Sequence, residues 1–315
     1  MNPQYNANDL DLAINPQVLK SLFATNSYRH ALAIAYNWAL IFASILLSLA
    51  YPYFAVYLFS VIVIGARMHA LAILMHDATH FRFLKNRKWN DLITNVVTAY
   101  PLFTTIATYR ENHLRHHRHL NTEEDPDWVS KLGKREFRFP KTKREFLLTV
   151  FSYFFLIQGM KDSIWFFRRF ASAKKDTSCR TEDKRPRILF FALLLLTLTL
   201  GGLWLGFLLF WVIPYLSTFF MFQYIRSVAE HFGELSYDHL LTSTRTVRVN
   251  FLERFFIAPH NVGYHLEHHL YPGVPFYHLP QLHKVLMADA AYSNKAHITH
   301  GYLTGLLNEL SGINS

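Results

Sequence analysis

Two long stretches of this chain contain no Asp, Glu, Lys or Arg: the residues between Arg29 and Arg67, and those between Arg187 and Arg226. A bilayer core takes about 20 helical residues, so each stretch is too long for one crossing. Each also has a break near its middle, Tyr51-Pro52 in the first and Gly201-Gly202 in the second. The pattern predicts two hairpins of membrane-crossing helices, with spans over 31–50, 53–75, 188–201 and 203–225. Buried helices of a soluble protein are the competing reading, and two uncharged runs of this length weigh against it.

Basic residues set the expected orientation. Both hairpin turns lack Lys and Arg, whereas the segment from Arg82 to Arg187 is crowded with them. The positive-inside rule then puts both termini and the central segment in the cytoplasm. The expected fold is an all-α integral membrane protein, one domain over 1–315, with four transmembrane helices and a cytoplasmic helical cap. Its parts are a cytoplasmic N-terminus (1–30), a hairpin (31–75), a cytoplasmic segment (76–187), a second hairpin (188–225) and a cytoplasmic C-terminal segment (226–315). The net charge of +10 suits anionic head groups and an acidic soluble partner. Nucleic acid fits poorly, because the charge is juxtamembrane and no binding motif accompanies it. The first 30 residues lack the basic start and apolar core of a signal peptide.

Smaller features fill in the plan. An amphipathic helix is expected within 3–25, after Pro16. Residues 92–109 are apolar but short and broken by Pro101, which predicts an interfacial or partly buried helix pair. Residues 145–170 mix Phe and Trp with Lys161, Arg168 and Arg169, as a helix lying on a membrane surface would. The stretch 171–187 reads as a mobile loop, and its Cys179, the one cysteine, rules out an internal disulfide.

The 18 histidines are not scattered. His76 and His80 form an H-x-x-x-H pair, which shares one helical face. His113, His116 and His117 form H-x-x-H-H, and His265, His268 and His269 repeat that spacing. Imidazole suits borderline metals such as Fe, Zn and Cu. Eight ligands exceed the needs of one tetrahedral zinc, which favours a two-metal site. The second span runs past Arg67 and reaches His76 nine residues later, roughly 13 Å at the helical rise. The fourth span likewise passes Arg226 and reaches His231, a ninth candidate. Asn261, one helical turn before His265, could orient a ligand or hold a metal-bound water. Asp125 and Asp127, in the acidic run from Glu123, end the His113 helix and offer a carboxylate to a ligand imidazole.

The other histidines have blander readings. His69 is expected to pack inside the bundle, and His119, His260, His278 and His283 to support structure or hold a ligand in place. A basic surface patch or a pH sensor is the bland reading of the clusters themselves.

The segments "HDATHF" (76–81), "HLRHHRHLNTEEDPD" (113–127) and "NVGYHLEHHLYPGVPFYHLPQL" (261–282) resemble the three histidine boxes of the membrane fatty acid desaturase superfamily. The resemblance implies two non-haem irons held almost wholly by histidine at the cytoplasmic ends of four transmembrane helices. Box by box it implies His76 and His80, then His113, His116 and His117, then His265, His268 and His269 as ligands, with His231 as the extra histidine. Some relatives place Asn four residues before that last histidine, where this chain has Ser227.

The expected activity is removal of hydrogen from an unactivated CH2 pair of an acyl chain, using O2 and two electrons from outside. The chain has no dinucleotide fingerprint, no cysteine set for an iron–sulfur cluster and no haem attachment motif. A ferredoxin or cytochrome b5-type donor docking on the basic face is therefore expected. A diiron hydroxylase or ketolase of an acyl chain, alkane or carotenoid is the alternative within the same chemistry. A zinc-dependent membrane lipid hydrolase would leave most of these histidines unexplained. A metal transporter would want its ionisable groups inside the spans.

Overall fold

The computed structural model describes residues 10, 12, 14–172 and 183–311. Its order begins with α1 (Pro16–Leu22), α2 (Ser27–Ala50), α3 (Phe54–Thr79), α4 (Arg87–Thr94) and α5 (Ile106–Arg118). It continues with α6 (Pro126–Val129), α7 (Lys143–Phe154), α8 (Ile157–Ser172), α9 (Arg185–Leu200), α10 (Trp204–Phe207) and α11 (Phe220–His231). The C-terminal part holds β1 (Thr246–Arg248), α12 (Phe251–Phe256), α13 (His265–Leu270), α14 (Leu279–Met287), α15 (Ala290–Ser293), β2 (Ile298–His300) and α16 (Leu307–Glu309).

Among the described residues three helices are long and apolar enough to cross a membrane: Ser27–Ala50, Phe54–Thr79 and Trp204–His231. The last joins α10 to α11 through two π-helical segments, Leu208–Val212 and Tyr215–Phe219. The expected span over 188–201 falls in α9, which has 16 residues. That length is short of a full crossing at about 20 residues. The mobile loop expected over 171–187 falls largely outside the described residues.

Helix α3 is the axis of the molecule, buried almost without interruption from Ser60 to Thr79. Helix α2 buries one narrow stripe against it, His30, Ile34, Asn37, Ile41, Ser44 and Ser48, at helical spacing. Its outer face shows Leu32, Tyr36, Phe42, Leu46 and Leu49, an apolar exterior suited to lipid rather than water. Small polar residues knit the seam. Ser48 Oγ donates to Ser60 Oγ at 2.9 Å, and Ser60 Oγ to Ser44 O at 3.0 Å. On the other side, Gly65 lets the Tyr215–Phe219 segment come close, and Thr218 Oγ1 donates to Val61 O at 2.8 Å.

Two expected helices are divided differently. Helix α4 continues through a π segment (Asn95–Ala99) and a 3-10 turn (Tyr100–Leu102), stopping where Phe103 turns left-handed at φ 58°. Thr105 then caps α5 by accepting from Thr108 N at 3.2 Å. The apolar run 92–109 therefore ends one helix and starts the histidine-bearing one. The helix expected over 145–170 breaks into α7 and α8 at Leu156, φ 67°. A short parallel pairing of β1 with β2 (Thr246↔Ile298) holds the C-terminal segment down, an element the all-α expectation did not include.

Candidate metal centre

Four helices deliver the nine histidines. His76 sits in the last turn of α3 and His80 caps its end; His113, His116 and His117 lie on α5. His231 ends α11, and His265, His268 and His269 lie on α13. They form two groups, each with ligand atoms within 4.8 Å of one another: His76, His80, His113, His117 and His268, and His116, His231, His265 and His269. Each H-x-x-H-H motif is split between them. On α5 the i,i+4 pair His113 and His117 joins the first group and His116 the second. On α13 the i,i+4 pair His265 and His269 joins the second and His268 the first. Residues three and four apart sit on opposite flanks of one helical face, so a single helix can serve two centres.

The donor atoms suit a cation. His113 Nε2 is 3.0 Å from His80 Nε2 and 2.9 Å from His117 Nε2, which is itself 3.0 Å from His268 Nε2. In the second group His265 Nε2 is 2.9 Å from His231 Nε2 and 3.0 Å from His269 Nε2. Each imidazole nitrogen carries one proton or one lone pair, so these contacts cannot all be hydrogen bonds. With metal–nitrogen bonds of about 2.1 Å, nitrogens at right angles around one ion stand about 3.0 Å apart. His76 Nε2 is buried with no hydrogen-bond partner, as a nitrogen awaiting a metal would be.

The far side of two rings is held by carboxylates. His116 Nδ1 donates to Asp125 Oδ2 at 2.8 Å, which turns Nε2 and its lone pair toward the second group. Asp125 is fully buried, and its other oxygen caps α6 by accepting from Asp127 N and Trp128 N. His265 Nδ1 lies 3.3 Å from Glu230 Oε1, which accepts from Arg226 Nε at 2.6 Å. Burial, with neighbouring imidazoles, holds His113, His117, His265 and His268 well below the usual histidine range, and burial with adjacent cations lowers His80 to about 4. Neutral imidazole is the form that binds metal.

Beside the groups lies a cavity of about 470 Å³. Its wall includes His113, His116, His231 and His265, apolar residues such as Met75, Phe219 and Phe220, and a set of charged groups on α6, α8 and α11.

The sequence profile of the fatty acid desaturase family matches residues 52–301, a region that contains all nine histidines. The chain belongs to the fatty acid desaturase family. Desaturases are oxidoreductases, and so is this chain. It is similar to the dihydrorhizobitoxine desaturase of Bradyrhizobium elkanii, 31% identical over 93% of this chain and 84% of that one. It is 24% identical to the sn-1 oleoyl-lipid 12-desaturase of Anabaena variabilis, over 68% of this chain and 64% of the relative. An endoplasmic reticulum omega-3 fatty acid desaturase of Vigna radiata var. radiata is 25% identical over 70% and 62%. The chain thus spans less than two thirds of the last two.

The remaining candidates of this desaturase are placed as follows. Of the two aspartates, Asp125 holds a box histidine, while Asp127 lines the cavity without a side-chain hydrogen bond. Asn261 lies in a 3-10 turn at φ 60°, outside α13, and its side-chain amide donates to Phe276 O at 3.0 Å. Ser227 lines the cavity one turn before His231, its hydroxyl buried and unpartnered. His69 packs inside the bundle at 2.9 Å from Gln223 Oε1 and 3.1 Å from Ile257 O. His119 caps α5 and lies 3.0 Å from Glu124. His283 bonds Glu267, which also accepts from Tyr292 and Thr246, so that carboxylate braces α13. His260 contacts Asn37 and His278 bonds Leu22 O.

Sequence reasoning missed Glu230, Arg226 as its partner, and Tyr109, which is stacked on His113 at 5.6 Å between ring centres. The i,i+4 spacing of Arg226 and Glu230 beside a candidate histidine was the available signal. Nothing local marked Tyr109.

Proposed function

We propose that the chain is an O2-dependent diiron desaturase that introduces a double bond into the saturated chain of an acyl or similar substrate. The nine histidines gathered into groups of five and four carry this reading, since a single zinc needs no more than four ligands. His76, His80, His113, His117 and His268 would hold one iron, and His116, His231, His265 and His269 the other. When bound, the irons supply the activation of O2 and the oxidising power that an unactivated C–H bond demands. Overall, the CH2–CH2 pair, O2, two electrons and two protons become a CH=CH pair and two waters.

The protein's own residues do the rest. Asp125 and Glu230 orient His116 and His265. Met75, Phe219 and Phe220 keep water from the reacting carbons along the cavity wall. Helix α9, though about a turn short of a full crossing, is read as the fourth one, because Ile188, Leu189, Leu193, Leu196 and Leu200 form an exposed apolar surface suited to lipid. Both termini and the histidine cap then face the cytoplasm, where a ferredoxin or cytochrome b5-type protein delivers electrons.

Expression in a host lacking the activity, followed by mass spectrometry of lipids and small metabolites, tests the reading. A new double bond is expected; an inserted oxygen would make the chain a hydroxylase. Purified protein carrying one zinc and no iron would overturn both.

A further inference from the structure

Six acidic or basic side chains line the cavity: Asp127, Lys131, Lys134, Asp162, Arg226 and Glu230. Four are paired among themselves. Arg226 meets Glu230 at 2.6 Å, and Lys134 lies 4.0 Å from Asp162, which also accepts from Tyr153 Oη at 2.8 Å. Asp127 and Lys131, four residues apart, form no direct ion pair among the described residues, although, against the effect of burial, the Lys131 charge reaches Asp127 through space and lowers its carboxyl pKa. The Lys131 ammonium lies over the face of Phe137, 5.9 Å from the ring centre. Lys131 lines the same cavity as Glu230 and as His116, His231 and His265 of the second histidine group.

A chamber for a bare hydrocarbon chain would line itself with apolar atoms, since an ionic wall gains nothing from such a guest. A cation and an anion on the same wall offer complementary partners to a dipolar guest. We propose that the substrate of this cavity carries a zwitterionic head, its anionic group received by Lys131 and its cationic group by Asp127. Both residues are reached by solvent, so the head enters from the water side while the carbon chain points toward Met75 and Phe220. At about 30 Å³ per water molecule the cavity has room for about 16 waters, the size of a head with a short chain. Two sources share this chemistry, a small α-amino acid and the phosphocholine or phosphoethanolamine head of a lipid. The proposal rests on the desaturase reading only in taking this cavity as the substrate chamber.

The test is calorimetric titration of the metal-free, detergent-solubilised full chain with 2-aminodecanoate, decanoate, decylamine and 1-decanol. The zwitterion should bind about fivefold more tightly than either singly charged probe, the scale of one partly exposed ion pair. Lys131→Gln should bring 2-aminodecanoate down to the level of decylamine, and Asp127→Asn down to that of decanoate. Lys131→Arg should keep the ranking, and 1-decanol should bind alike to all four proteins. Butylphosphocholine against 2-aminohexanoate, a pair with equal alkyl chains and within the size of the cavity, assigns the source: tighter binding of the first points to a lipid head, weaker to a small amino acid. Probes that bind within twofold of one another, or variants that leave the ranking unchanged, would overturn the proposal. Because binding is read without metal, a preparation that forms no double bond would sink the desaturase reading and leave this one standing.

Discussion

The imidazole of His116 and the carboxylate of Asp125 meet at 2.8 Å, in a place where Asp125 has no exposure to solvent. Nine residues separate them in sequence. One oxygen of Asp125 fixes a histidine of the second group, and the other caps the next helix, so a single side chain couples the ligand helix to the turn that follows it. Asp125→Asn keeps a capping oxygen but removes the charge facing His116. Iron affinity should fall by about 10- to 100-fold. Asp125→Ala should add a stability loss of about 1 kcal/mol through the lost cap. Iron titration and thermal melts read the two effects separately, and an Asn variant with wild-type iron affinity would refute the first.

His117 touches both His113 and His268 through Nε2, which places it in the middle of the first group. His117→Ala should abolish turnover while membrane insertion stays normal. Product analysis beside membrane fractionation checks this, and wild-type product levels would sink the ligand assignment.

Gly159 of α8 faces the backbone of Leu216, and a methyl group there would collide with the Leu216 carbonyl oxygen. Backbone cannot step aside as a flexible side chain can, so α8 would have to move. Gly159→Ala should cost about 1–3 kcal/mol, the usual scale of overpacking. A melting temperature in detergent equal to wild type would contradict this account of the contact.

Acid should weaken the metal-free protein. Burial first, then nearby imidazoles or arginines, keeps His80, His113, His117, His265 and His268 neutral in the fold below the ordinary histidine pKa of about 6.5. The unfolded chain binds those protons instead, so stability should be flat above pH ~7.5 and fall as pH drops from 6.5 toward 4. Denaturant midpoints across that range, measured in a chelator, provide the check. A midpoint that rises on acidification would show that the rings are charged in the fold.

The histidine spacings were legible because a helix repeats every 3.6 residues, and that period alone puts His113, His116 and His117 on one face. His231 was legible for a related reason: a long apolar helix must carry whatever follows it out of the membrane. The partition of the boxes was not legible. Whether His116 joins His113 or His231 depends on how α3, α11 and α13 pack around α5, and no local pattern records that packing. The place of Asn261 was not legible either, since the left-handed turn at His260 and Asn261 ends the helical continuity that its spacing from His265 assumed.

What the sequence determined by itself was the chemistry available and its rough depth. Uncharged runs disfavour water-soluble packing of their exposed faces, and clustered imidazoles offer ligands that could hold a metal, both through local composition and periodicity. The tertiary structure alone decided the division into five and four histidines, the choice of Asp125 over Asp127 as the supporting carboxylate, and the recruitment of Glu230. It also set Lys131 and Asp127 on one cavity wall. Those outcomes rest on contacts between segments far apart in the chain, where distance and burial, rather than residue order, determine which groups meet.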